Sequence, residues 1–222
     1  MQQTPIHETP NPDLLGVMRS RYECVVEVGS SSGALARSYR EANPDCHYVG
    51  IEIDPAYADA SRRYCSEVLV GNAECLDDAT LHGLCLRAQC WVFGDSLEHL
   101  YDPWKLLEKI RAFSPKGIDV VACIPNAQYW AIQSVLNSGR FYYQDSGLLE
   151  RTHIRWFTRL TITDMFEEAS FKIVDFLGKI GNMPSSLQKS AIKSMASASG
   201  KNPLIALADA IPYQYVLRAV AV

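Results

Sequence analysis

The sequence is short of positive charge, with 21 Lys and Arg against 25 Asp and Glu, a net charge of −4. That balance argues against a nucleic-acid partner, which needs concentrated basic side chains and base-stacking aromatics. No apolar run approaches the roughly 18–20 residues of a helical membrane span. The opening decapeptide, MQQTPIHETP, has no basic stretch leading into an apolar core. No secretory signal is therefore visible, and a cytoplasmic location is expected. The seven cysteines form no C-x-x-C pair. Cys24, Cys46, Cys90 and Cys123 lie in or beside apolar runs, where a thiol behaves as a small hydrophobe. Reduced cysteines are expected, rather than a disulfide framework or a zinc cluster. The dinucleotide fingerprint G-x-G-x-x-G is missing too, because Ser31 and Ala34 stand two and five residues after Gly29.

What remains is an ordinary soluble composition, 48% hydrophobic and 21% charged, in 222 residues. That length suits one α/β domain with a full core. Two segments stand out, VVEVGSSSG (25–33) and YVGIEID (48–54). Each starts as a short apolar β-branched run and reads as a buried strand. The first ends in a glycine-bearing turn leading into a helical pattern. The second ends in carboxylates about 20 residues on, where nucleotide-binding βαβ units meet a ribose.

Strand and helix patterns alternate along the chain. A short helix is expected over 11–19, then strands at 24–28, 48–53, 68–70, 90–93 and 118–124. Helices are expected at 34–41, 55–64, 103–113, 128–136 and 161–169, the last capped near Thr161 or Thr163. Two late strands follow at 171–177 and 213–220, with a surface helix between them in 183–200. Repeated βα alternation means a mostly parallel sheet covered on both faces. Residues 139–159 fit no element and are rich in aromatic and charged side chains, as an enclosing loop would be.

Glycines at 29 and 33 let the backbone approach a ligand closely, and the helix that follows presents free N–H groups. Glu27, at the strand end, suits a cationic ammonium better than a phosphate. The string EVGSSSGALA followed by GIEIDP resembles the class I S-adenosylmethionine-dependent methyltransferases. The likeness continues through VGNAE (70–74) and FGDSLEHLYDP (93–103). IPNA (124–127) and GLLERTHIRWFT (147–158) are similar to a bacterial subgroup often met beside glycosyltransferase and polysaccharide genes.

The resemblance implies a Rossmann-like fold with a seven-stranded, mostly parallel sheet, helices on both faces and an antiparallel last strand. It implies a single domain over 1–222, with a lid or acceptor insertion around 139–159. The cofactor would be S-adenosylmethionine, leaving as S-adenosylhomocysteine. Glu27 and Gly29 would bracket its amino-acid end, and Ser31 and Gly33 would let the loop pass close. Glu52 would accept from the ribose hydroxyls, Asn72 and Ala73 would meet the adenine edge, and Asp95 would lie near the methionine side. Two positions depart from the family pattern. Ser31 stands where a third glycine is common, and Asn72 where Asp is common.

For the acceptor side, His153 and His99 are candidate bases, with a hydrogen-bonded structural role as the alternative for each. Tyr143 and Trp156 wall an acceptor pocket or belong to the core. Arg151 and Arg155 clamp an anionic group or pair with Asp145 and Glu150. Asp54, before Pro55, reads as a helix cap. Tyr101 and Lys105 have the spacing of short-chain dehydrogenases but sit at a helix start, in a chain without dinucleotide glycines. Asp95, Glu98 and His99 are close in sequence, yet no metal-ligand set is recognised. The expected activity is methyl transfer to an oxygen or nitrogen of a small molecule, with a sugar or glycoconjugate implied by the subgroup. The alternative is a non-catalytic partner protein on the same fold. A homodimer stays open.

Overall fold

A computed structural model describes residues 5–222. The elements run α1 (Pro12–Val17), β1 (Cys24–Val28), α2 (Ala34–Ala42), β2 (His47–Glu52), α3 (Pro55–Ser61), β3 (Glu67–Val70), α4 (Asp78–Arg87), β4 (Cys90–Gly94) and α5 (Pro103–Phe113). There follow β5 (Asp119–Pro125), α6 (Trp130–Asn137), α7 (Arg159–Glu168), β6 (Phe171–Ile180), α8 (Ser186–Ala198), α9 (Pro203–Asp209) and β7 (Pro212–Ala221). Single 3-10 turns at Ala73–Cys75 and Leu97–His99 complete the list.

The strands form one seven-stranded sheet in the order β3-β2-β1-β4-β5-β7-β6. All pairings from β3 to β5 are parallel, and β7 runs antiparallel to both β5 and β6. Every residue of β1 and of β5 is buried, as strands covered on both faces require. One face packs Val26, Trp91, Phe93, Leu107 and Phe166 with α4, α5 and α7. The other packs Val25, Tyr48, Val92 and Cys123 against Leu14 of α1 and Leu35 and Tyr39 of α2. The chain moves outward from β1 to β3 and then crosses to β4. The carboxyl ends of β1 and β4 thus flank a topological switch point, where open α/β sheets bind ligands.

Most expected elements are present, with ends shifted by a few residues. Asp54 does cap α3, accepting from the Ala56 and Tyr57 amides. The cap residue of α7 is Thr158, and Thr161 lies near it, at the third helical position, where it closes a reciprocal capping box. Two helices have no counterpart in the sequence reading. In α4, His82 and Gly83 interrupt the apolar stripe, and α9 buries no residue fully. None of the described helices is long and apolar enough to cross a membrane.

Candidate active site

The loop after β1 is built from left-handed backbone. Gly29, Ser31 and Gly33 have φ of +79°, +47° and +77°. At Gly33 a Cβ would meet Ser61 Cα at 3.1 Å and Ser61 O at 3.2 Å, both backbone atoms. Gly33→Ala combines that clash with about 1–2 kcal/mol of left-handed strain. We expect its melting temperature to fall by roughly 2–8 °C from the strain alone, given about 2–4 °C per kcal/mol at this size. An unchanged transition by calorimetry would mean the loop can relax. Ser31 adopts φ +47° without being glycine, which gives a physical reason for the glycine common at this position.

Two buried carboxylates organise the loop. Glu52, at the end of β2, accepts the Ser31 amide at 2.8 Å and the Asp54 amide at 3.0 Å. Glu27, in β1, is 5% exposed and accepts the Tyr48 hydroxyl at 3.1 Å. Burial pushes the Glu27 carboxyl up to about 8, with the nearby Glu52 charge adding to the rise. Glu27, Gly29, Ser30, Ser31, Gly94 and Asp95 line a cleft that is open to solvent. Its rim is the segment before α1. The His7 amide donates to Ser31 Oγ at 2.9 Å, the Ser32 hydroxyl donates to the His7 carbonyl, and Arg37 donates to the Glu8 carbonyl.

Asp95 follows β4 in a left-handed conformation, φ +53°. Its Oδ1 accepts from the Gln214 side-chain amide of β7 and from the Cys123 thiol at 3.4 Å. Burial raises its pKa. Asn72 caps the turn after β3, its Oδ1 taking the Glu74 amide at 2.9 Å, and Ala73 is buried beside it. Glu74 in turn accepts the Tyr101 and Asp102 amides and fixes the segment after β4.

One step further along, Glu98, His99 and His153 meet. Glu98 is 1% exposed, and neither carboxylate oxygen has a hydrogen-bond partner. Burial and the Asp95 charge push its pKa well up. The His99 and His153 rings are edge to face, with centroids 4.7 Å apart. His153 Nε2 lies 4.0 Å from Glu98 Oε1. Burial, with help from His153, pulls His99 down to about 4.

His153 belongs to the segment 138–158 between α6 and α7, which holds no helix and only isolated bridges, Gln144 to Glu150 and Asn126 to Phe157. The Ile154 and Arg155 amides both donate to the Glu98 carbonyl at 3.0 Å, so the segment is fastened to the turn after β4. Phe141, Leu149 and Trp156 pack a small cluster inside it, while Tyr143 is exposed and meets Phe141 edge to face. Arg151 pairs with Asp145 at 2.5 Å. Arg155 donates to the Tyr101 carbonyl and lies over the Tyr101 and Trp104 rings. Arg151 thus has the Asp145 partner that the charge pattern offered, and the Arg155 partner is a carbonyl that it did not indicate.

A family model described as "Methyltransferase domain" matches residues 8–175. The chain belongs to that methyltransferase family. Solved methyltransferase structures share its fold. One is a complex between the Trm112 methyltransferase activator and a methyltransferase of Haloferax volcanii. It has a TM-score of 0.62 at 14% identity, covering 95% of this chain and 87% of that one. An S-adenosylmethionine-dependent methyltransferase from Archaeoglobus fulgidus gives 0.59 at 15%, over 89% and 86%. The O-methyltransferase NcsB1 of neocarzinostatin biosynthesis, in complex with S-adenosylhomocysteine and 1,4-dihydroxy-2-naphthoic acid, gives 0.55 at 14%, over 95% and 52%. At these identities the likeness is one of fold. No protein of curated function matches the sequence.

Membership of this methyltransferase family makes S-adenosylmethionine the cofactor. The residues present suit it. A buried carboxylate, Glu27, faces a polar cavity beside a glycine-bearing turn, and Ser30 Oγ is buried there without a partner. Of the eight residues the sequence offered for the cofactor, Glu27, Gly29, Ser31 and Asp95 line the cavity together. Gly33 instead caps α2 behind it, and Glu52 braces the loop from below. Asn72 and Ala73 sit at the next strand end, outside the cavity lining. Sequence reasoning missed Tyr48 and Gln214, which hold the two cavity carboxylates, and the rim at His7. An aromatic hydroxyl one strand away from Glu27 was the available signal for Tyr48. None marked Gln214.

Proposed function

We propose that this methyltransferase moves a methyl group from S-adenosylmethionine to an oxygen or nitrogen of a small molecule, with a sugar or glycoconjugate hydroxyl as the favoured acceptor. The observation that carries the reading is a cleft lined by Glu27 and Asp95 at the carboxyl ends of β1 and β4, with the buried cluster of Glu98, His99 and His153 following in the turn after β4, where the Asp95 charge acts on Glu98. The cofactor supplies an electrophilic methyl on a sulfonium, which an acceptor lone pair displaces in line. Glu27 pairs with the ammonium end, and Glu52 takes the ribose hydroxyls with its remaining lone pairs. Asn72 and Ala73 meet the adenine edge. The segment 138–158 acts as a lid that keeps water out, and Tyr143 and Trp156 present aromatic faces to an acceptor ring. An amine needs only orientation. A hydroxyl must lose its proton as the bond forms, and the cluster with His153 and His99 is where we place that loss.

The test is calorimetric titration with S-adenosylmethionine and S-adenosylhomocysteine, then transfer of labelled methyl to candidate acceptors, nucleotide sugars first. Saturable binding with transfer supports the reading. Binding with no transfer to any hydroxyl or amine acceptor would favour a non-catalytic partner protein. His153→Ala is expected to bind the cofactor within about twofold of the parent and to slow transfer by about 10²–10⁴-fold, the range of a proton-handling group. Full turnover in that variant would remove His153 from the chemistry.

A further inference from the structure

Glu98, His99 and His153 come from two distant stretches of chain, the turn after β4 and the lid segment. One ligand-type atom from each lies within 4.8 Å of the others. Three features of the cluster need a common explanation. Glu98 is 1% exposed and both its oxygens are unpartnered, although a buried carboxylate normally has a cation or several donors. His99 Nδ1 lies 3.1 Å from the Thr152 carbonyl, and His153 Nδ1 lies 3.0 Å from the Leu148 carbonyl. A carbonyl only accepts, so each Nδ1 carries a hydrogen, and in the neutral imidazole the lone pair is then on Nε2. Finally, His153 Nε2 and Glu98 Oε1 are 4.0 Å apart, too far for a hydrogen bond but close enough to share a central ion.

We propose that Glu98, His99 and His153 form a binding site for one divalent transition-metal ion of the zinc class. Two neutral imidazole nitrogens and one carboxylate oxygen are a known donor set for such ions, and three protein ligands leave a position open. Ligands at about 2.0–2.1 Å from one ion are at most about 4.2 Å apart, so the cluster closes around it with small side-chain rotations. The Nδ1–H to carbonyl bonds are the outer contacts that orient metal-binding histidines. Asp95 and Glu150 add negative potential around Glu98. This rests on the proposed reading only for where the acceptor stands. There the ion would specify how the cluster handles the proton, by lowering the pKa of a hydroxyl presented at its open position. Because His153 is in the lid and Glu98 and His99 are not, the ion would also pin the lid shut.

The experiment needs no acceptor. Metal-stripped full-length protein is titrated with Zn²⁺ by calorimetry and with Co²⁺ by visible absorption. The expected result is one ion per chain, with nitrogen and oxygen rather than thiolate character in the cobalt bands. Glu98→Gln, His99→Asn and His153→Asn should each weaken uptake at least about tenfold, with S-adenosylhomocysteine binding checking that the variants fold. Should a variant not fold, proton NMR of the Co²⁺-loaded parent decides, because two bound imidazoles give two strongly shifted exchangeable N–H signals. No uptake, uptake undiminished in all three variants, or thiolate-dominated cobalt bands would overturn the site. Retained S-adenosylmethionine binding and methyl transfer in a protein that takes up no ion would sink this inference and leave the proposed function standing.

Discussion

Glu52→Ala is expected to weaken S-adenosylmethionine binding about a hundredfold. A hydrogen bond to a charged group contributes about 1.5–3 kcal/mol, and roughly 2.7 kcal/mol is two orders of magnitude in affinity. The side chain serves two purposes. Its oxygens already hold the Ser31 and Asp54 amides. Their unused lone pairs are the proposed ribose acceptors. The variant therefore loses a ligand contact and leaves two backbone donors without their carboxylate, so the free protein should melt lower as well. A double cycle separates the effects. An analogue of S-adenosylhomocysteine lacking the ribose hydroxyls should bind the parent poorly and should lose little more in Glu52→Ala. Equal losses from the analogue in both proteins would remove the ribose assignment and leave Glu52 as a brace for the loop.

The second large effect concerns Glu27. Its ordinary carboxyl value of 4.5 is pushed up to about 8 by burial, so the free protein holds it mostly protonated at neutral pH. An ammonium placed beside it favours the ionised form. Binding of S-adenosylhomocysteine at pH 7 should thus release close to one proton, read by calorimetry in buffers of different ionisation enthalpy. Release should fade above about pH 9, where the carboxylate is already ionised. Glu27→Gln should abolish it and weaken binding about tenfold or more at the higher pH. The sign for stability follows from the same shift. The folded value lies above the unfolded one, so the contribution is complete below about 4.5 and is lost as pH rises toward about 8. The free protein should lose stability across that window and regain it with ligand. Proton-neutral binding by the parent would place the ammonium elsewhere.

The strands around the site were legible because burial on both faces leaves a plain mark, an apolar β-branched run. VVEV and YVGI carry it, and the carboxylates that interrupt them, Glu27 and Glu52, are thereby singled out. Asp54 was legible because an acid before Pro55 has a local use as a cap. Contacts across the sheet were not. Tyr48 reaches Glu27 because β1 and β2 pair in register, Val25 beside Tyr48. Gln214 reaches Asp95 from 119 residues away, only because β7 lies next to β5. His153 was singled out among basic and aromatic neighbours, but its meeting with Glu98 depends on the Ile154 and Arg155 amides folding the segment back. Helix α4 escaped notice because periodicity is a weak signal when polar and small residues break the stripe, and its buried residues are only Leu81, Leu84 and Cys85.

The place of β7 sets a condition on synthesis. During translation β5 leaves the ribosome long before residues 212–221, and it waits with one apolar edge bare, since its neighbour on that side, β7, is the latest in sequence of the seven strands of this sheet. Among the described residues, the same strand is the only one paired with β6. A nascent chain paused anywhere between them offers Val120, Val121, Ala122, Cys123 and Ile124 as a sticky template to other chains. Slow decoding in that stretch, or a shortage of chaperones that shield it, should cost soluble yield even when the finished protein is stable.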